Sequence, residues 1–291
     1  MKPLRLLNLK SMLIITAFSI VLGGCSAVGF TYGKLDWLIS WRLNGLLDLN
    51  AQQQQWLEPR IEDNLNWHCS TEIPRYLDWL QHTQSLVNEP NPSPRKLTAQ
   101  FVMVGDAIKR IGKQITPTSV DLLKTLTDEQ VAHLSEELTE KNNDYRKKFV
   151  DPSLAVQIEE RAERMADRLE TWLGSVNETQ LQRVNRWSAA LGEQNSLWMN
   201  NRLLWQAQME QSLAMRHTAE FAPRITHLLQ APEDFYDAEY RKAYPEAQQA
   251  FAELISDVLL SADAQQKQRF TERLRDLRHE LAQLVCARTV S

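Results

Sequence analysis

Apolar residues recur along most of this chain every three or four positions. The clearest seam closes it, where Phe270, Leu274, Leu277, Leu281 and Leu284 follow at steps of 4, 3, 4 and 3. That heptad-like spacing predicts a helix with one apolar stripe. Val131, Leu134, Leu138, Tyr145 and Phe149 predict another helix over 128–149, and Ile158, Ala162, Met165, Leu169 and Trp172 one over 153–173. Trp198 and Trp205, with Leu197 and Leu204 beside them, mark 193–216, and Phe251, Leu254, Ile255, Val258 and Leu259 mark 246–260. No stretch shows sustained strand-like alternation between hairpin turns.

Four helix starts share one grammar. Asn50-Ala-Gln-Gln53, Thr127-Asp-Glu-Gln130, Asn177-Glu-Thr-Gln180 and Asp263-Ala-Gln-Gln266 lead to Leu57, Leu134, Val184 and Phe270. Each has a capping side chain, a Gln three residues on and an apolar residue at the seventh position, which is the capping-box arrangement. The separations of 77, 50 and 86 residues are irregular, so they mark a recurring start signal and not a solenoid repeat.

Prolines punctuate the pattern. Pro90, Pro92 and Pro94 form the clearest loop, within 88–95, and Asp151-Pro152 separates two long helices, with Pro152 suited to a first turn. Pro59 stands inside an otherwise helical run and predicts a kink or split in 51–67. Pro223, Pro232 and Pro245 predict short pieces over 217–246. The fold class is all-α: an elongated multi-helix bundle of about ten helices. Residues 25–291 read as one helical domain, with 88–95 or 150–152 as places where it would divide.

The first 24 residues are different. They carry Lys2, Arg5 and Lys10 and no acid, followed by the apolar run 12–22. Eleven helical residues span roughly 17 Å, short of a bilayer core of about 30 Å. A basic start, a short apolar run and small residues at the end read as a secretion signal. Its end, Leu22-Gly23-Gly24-Cys25, resembles the lipobox of bacterial lipoproteins. The resemblance implies cleavage before Cys25, a diacylglycerol on the Cys25 thiol and an acyl chain on the new α-amine. It also implies residence in the cell envelope. Ser26, where an Asp would favour inner-membrane retention, implies the periplasmic face of the outer membrane.

Composition fits an exported soluble domain. Hydrophobic residues make up 43% and charged residues 24%, which excludes a wholly disordered chain and a polytopic membrane protein. With 9 Gly and 11 Pro the chain is too poor in turn residues for an all-β sandwich. The net charge of −4 argues against nucleic acid as a partner. Beyond Cys25 the chain has two cysteines, Cys69 and Cys286. In an oxidising compartment they fit one disulfide, and equally two buried thiols.

The strongest landmarks lie in 32–76. They are Tyr32, Leu35-Asp-Trp-Leu38, Trp41, Leu46-Leu-Asp-Leu49, Gln53, Trp56-Leu57, Arg60, Trp67-His68 and Glu72-Ile-Pro-Arg-Tyr76. Leu126-Thr-Asp-Glu-Gln130 and Asn143-Asp-Tyr-Arg146 follow. Together they resemble a family of Gram-negative all-helical lipoproteins classed as a domain of unknown function, with similarity running from the lipobox to the C-terminus. Members of that family usually carry a charged residue after the Trp-His pair, where this chain has Cys69, so a Cys69 disulfide would be a local feature. The resemblance implies location and fold and no activity.

No catalytic constellation stands out. Gly105 and Gly112-Lys113 are spaced wrongly for a phosphate loop, and Gly-x-Ser-x-Gly and Cys-x-x-Cys are absent. None of the six His pairs with another at i,i+4, so no shared-metal face is expected. Glu129 with His133, His217 with Glu220 and Asp276 with His279 read as surface or capping pairs, and Arg146-Lys-Lys148 as a complement to a helix dipole. Trp37, Trp41, Trp56, Trp67 and Trp79 crowd the first part of the mature chain. They fit either core packing or a membrane-proximal or ligand-facing aromatic surface. The expected role is a non-enzymatic, lipid-anchored protein that binds an unknown periplasmic or envelope protein or scaffolds the envelope. The alternative is a carrier or enzyme for an apolar ligand held between Trp-rich helices. No cofactor is expected beyond the lipid on Cys25.

Overall fold

The computed structural model describes residues 27–89, 92–284 and 286, so Leu22, Gly23, Gly24 and Cys25 lie outside the described residues. The described residues contain no strand. Twelve α-helices follow in order: α1 (Ala27–Tyr32), α2 (Leu35–Leu47), α3 (Ala51–Trp67), α4 (Ile73–Val87), α5 (Pro94–Lys124) and α6 (Asp128–Phe149), then α7 (Leu154–Leu173), α8 (Glu178–Ala190), α9 (Gln194–Ala214), α10 (Phe221–Gln230), α11 (Ala238–Leu260) and α12 (Ala264–Ala282). A π-helical turn, His68–Glu72, joins α3 to α4, and a 3-10 turn, Pro232–Phe235, precedes α11. Ten of the α-helices have 13 residues or more.

All four predicted starts are complete capping boxes, with Asn50, Thr127, Asn177 and Asp263 as caps. The structure adds what the spacing did not reveal: the boxes meet in pairs. The Gln53 amide donates to Gln130 Oε1 at 3.1 Å and Gln130 donates back to Gln53 Oε1 at 2.7 Å. Gln180 and Gln266 do the same at 3.1 and 3.0 Å. Each amide also donates to a backbone carbonyl near the opposite helix start: Thr125, Asp48, Val258 and Ser175. Each amide oxygen accepts from its own cap's backbone N–H as well. Only a side chain that both donates and accepts can close such a pair, which is why Gln and not Glu suits these buried positions. The first two boxes thus join α3 to α6, and the last two join α8 to α12. A Leu stands four residues before every cap, at 46, 123, 173 and 259.

The largest core gathers Leu46, Leu57, Ile61, Val120, Leu126, Leu213, Phe221 and Ile225, from α2, α3, α5, α9 and α10 and the α5–α6 loop. A second lies between α4 and α12, where Ile73, Leu80 and Val87 face Leu274 and Leu281 of the closing heptad seam. A third joins α7, α8 and α11 through Met165, Leu169, Leu173, Val184, Leu254 and Val258. Packing crosses both 88–95 and 150–152, because α4 takes its main partner from α12 and α5 packs on α10 and α11. Gly112 lets α5 and α10 approach closely: a Cβ there would sit 2.9 Å from the Leu229 carbonyl oxygen.

Three prolines depart from the simple expectation. α3 runs unbroken through Pro59 and α11 through Pro245, and α5 contains Pro117. The predicted split at Pro59 and the break at Pro245 are therefore absent. All three prolines are exposed, and so are Gln55, Lys113 and Arg241 four residues earlier. The carbonyl that loses its partner faces water, which satisfies it. Pro152 lies just before the Ser153 cap of α7 instead of inside the first turn.

Candidate functional site

The helix following the Asn50 cap ends in a π turn, His68-Cys-Ser-Thr-Glu72. A π turn carries one extra residue per turn and so re-aims the side chains that follow it. Here it sends Glu72 fully inside the protein, at 0% exposure. A buried carboxylate costs several kcal/mol unless paired. Arg110 of α5 supplies the partner through two hydrogen bonds, Nε to Oε1 at 2.7 Å and Nη2 to Oε2 at 2.8 Å. Arg75 stands further off, at 3.7 Å. The hydrogen bond to Glu72 holds Arg110 more firmly protonated than usual. The pair also fixes the plane of the Arg110 guanidinium.

His68 anchors a second network one turn away. Its Nδ1 lies 2.9 Å from the Tyr32 hydroxyl and its Nε2 lies 3.2 Å from the Tyr76 hydroxyl. Tyr32 donates onward to the Leu65 carbonyl at 3.3 Å. A neutral imidazole with its proton on Nδ1 satisfies every member: Tyr76 donates to Nε2, Nδ1 donates to Tyr32, and Tyr32 donates to Leu65. This tautomer follows from the network. Burial pushes Tyr32 up to about 12, and burial with the nearby Glu72 raises Tyr76 further. Burial lowers His68, with Glu72 opposing.

Cys69, inside the same turn, is disulfide-bonded to Cys286, with Cα atoms 5.5 Å apart. The bond ties the tail beyond α12 to the start of α4. Thr271 hydrogen-bonds Asn88 at the other end of the pair, so α4 and α12 run antiparallel.

Beside the turn an open groove of about 500 Å³ runs between α3 and α5. Its walls are Arg60, Asp63, Asn64 and Trp67 on α3 and Arg110, Lys113, Gln114, Pro117 and Thr118 on α5. Gln114 donates to Asn64 Oδ1 at 3.2 Å across the seam. The Arg60 guanidinium lies 3.8 Å from the centre of the Trp56 ring and donates to the Trp56 carbonyl at 2.7 Å.

The five tryptophans separate. Trp56 packs on the largest core and Trp79 on the α4–α12 core. Trp67 is half-buried and lines the polar groove. Trp37 and Trp41 are 63% and 47% exposed and stack on each other, ring centres 6.2 Å apart and planes at 14°. Trp56 thus faces a packed core and Trp67 an open polar groove.

Sequence reasoning gave Glu72 and Arg110 no role. Glu72 stood inside the motif 72–76, and nothing in the sequence paired it with a residue 38 positions on. Among the described residues, no group of three or more His, Cys, Asp or Glu is placed to hold a metal ion. No described helix is long and apolar enough to cross a membrane.

Fold and site together define an all-α helical-bundle protein with a polar groove between α3 and α5, where the half-buried Arg110 is held by the buried Glu72. The chain belongs to a family of unknown function, DUF6279, whose model matches residues 45–241. That span contains both walls of the groove and the π turn, and excludes Trp37, Trp41 and Cys286. It is narrower than the resemblance running from the lipobox to the C-terminus. No curated protein and no solved structure matches the chain.

Proposed function

We propose that this is a non-enzymatic, lipid-anchored protein of the cell envelope, fixed through Cys25 to the periplasmic face of the outer membrane, where its helical domain binds a partner. The observation that carries the reading is the pair Trp37 and Trp41. Two large apolar rings stacked in the open are unfavourable in water and favourable at a bilayer interface, where an indole places its ring among acyl chains and its N–H among headgroups. They stand 12 and 16 residues after Cys25. Even a fully extended tether of 12 residues reaches no more than about 40 Å, so an anchor at Cys25 keeps α2 within reach of the surface. Single surface hydrophobics need no explanation, whereas a stacked pair next to an anchor does.

The test is quenching of tryptophan fluorescence by lipids brominated along the acyl chain, with the processed protein reconstituted in vesicles. Quenching that disappears in the Trp37→Phe/Trp41→Phe double variant supports the reading. Quenching that is absent, or equal in the double variant, contradicts it.

A further inference from the structure

We propose that the groove between α3 and α5 binds an acidic saccharide, a sugar bearing a carboxylate or phosphate group. This inference is independent of the anchor, because every residue it uses lies in 56–118.

The charge comes first. Arg60, Arg110 and Lys113 line the groove with Asp63, and Glu72 behind it takes up the charge of Arg110, so Arg60 and Lys113 stand against one carboxylate in a protein whose net charge is −4. A local cationic surface on an acidic chain selects an anion. Two of the three cations are pre-set. Arg110 is held by its two bonds to the buried Glu72, and Arg60 by stacking on Trp56 and its bond to the Trp56 carbonyl. Side chains fixed before a ligand arrives lose less entropy when it binds. Glu72 holds Arg110 in place at the edge of the groove.

The remaining walls narrow the class. Trp67 and Pro117 offer flat apolar faces, which suit the C–H face of a pyranose ring. Asn64, Gln114 and Thr118 sit between the cations. Their amides and hydroxyl both donate and accept, as sugar hydroxyls require. Gln114 bonds Asn64 at 3.2 Å, and Asn64 lies 3.5 Å from the Thr118 hydroxyl, so this polar floor is already ordered. A bare inorganic anion would have no use for the indole or the amides. From residue 60 to 67 the helix rises about 10 Å, room for two rings, and the groove is open for a longer chain to run through.

Isothermal titration of the full processed chain in detergent, at low salt, tests this with trigalacturonate, neutral maltotriose, inorganic phosphate and AMP. The expected result is binding of trigalacturonate about tenfold or more tighter than maltotriose or phosphate, because charge and ring contacts act together. Lys113→Gln, a change at an exposed position, should weaken it by about fivefold or more, and Arg60→Gln/Lys113→Gln further, with unchanged helical circular dichroism. No binding of trigalacturonate would overturn the proposal. So would equal binding of phosphate, which would mark a simple anion site, tighter binding of AMP, which would mark a nucleotide site, or an affinity indifferent to Lys113→Gln.

Discussion

His68 sits between two tyrosines in a network that is complete only when the imidazole is neutral. Burial lowers its pKa below the ordinary 6.5, and Glu72 opposes that shift without reversing it. The unfolded chain therefore takes up a proton at a higher pH than the folded protein does. Between the two values unfolding binds a proton, so the stability His68 confers is full above about 6.5 and is lost as the pH falls through that window. Urea midpoints measured from about pH 7.5 down to about pH 5 should fall, and His68→Gln should remove part of that fall. An identical slope in the variant would mean the imidazole is as exposed to protonation folded as unfolded. The paired glutamines make a second residue-scale case. Gln53→Ala or Gln130→Ala should each cost about 1–3 kcal/mol, since each strands buried donors and acceptors. The double variant should cost less than the sum by about 1 kcal/mol, the signature of direct coupling.

Elements were legible where a local rule sufficed. The four caps, the heptad seam of α12 and the basic last turn of α6 depend on side chains within one or two turns, and the sequence carries them openly. What it did not carry is which starts meet. Gln53 and Gln130 are 77 residues apart, and nothing local distinguishes that pairing from any other. The prolines failed for a related reason. Whether Pro59 or Pro245 breaks a helix depends on whether the freed carbonyl finds water, and that is decided by which face tertiary packing leaves outside. The same limit applied to Cys69 and Cys286, for which two readings stood until α4 and α12 were seen side by side. Their bond closes a loop spanning 217 positions. The chain-entropy model assigns such a loop roughly 5 kcal/mol, an upper figure when the unfolded chain keeps residual structure. Cys286→Ser should lower the urea midpoint accordingly and abolish the gel-mobility shift that reduction produces in the parent protein. Equal midpoints would mean that the α4–α12 seam holds without its clasp.

At the scale of the whole molecule, the two ends of the story are read from different material. The groove is built from long-range pairs, Glu72 with Arg110 and Asn64 with Gln114, so it became visible only once α3 and α5 lay antiparallel. Trp67, Arg60 and the Trp56 on which Arg60 stacks were marked in the sequence; Asn64, Arg110 and Gln114 were not. The anchor is the reverse case. Its logic lies in a short N-terminal pattern, and the fold contributes the exposed Trp37 and Trp41 nearby. The proposal for the molecule joins these: a tether at one end, an aromatic rest beside it and a polar groove on the bundle. Intact and tryptic mass spectrometry of the protein purified from envelopes tests the tether. The account predicts an N-terminal peptide that begins at Cys25 and carries a diacylglyceryl group on its thiol with an acyl chain on its amine. A peptide that runs through Gly23-Gly24 into an unmodified Cys25, or one that starts elsewhere, would contradict it.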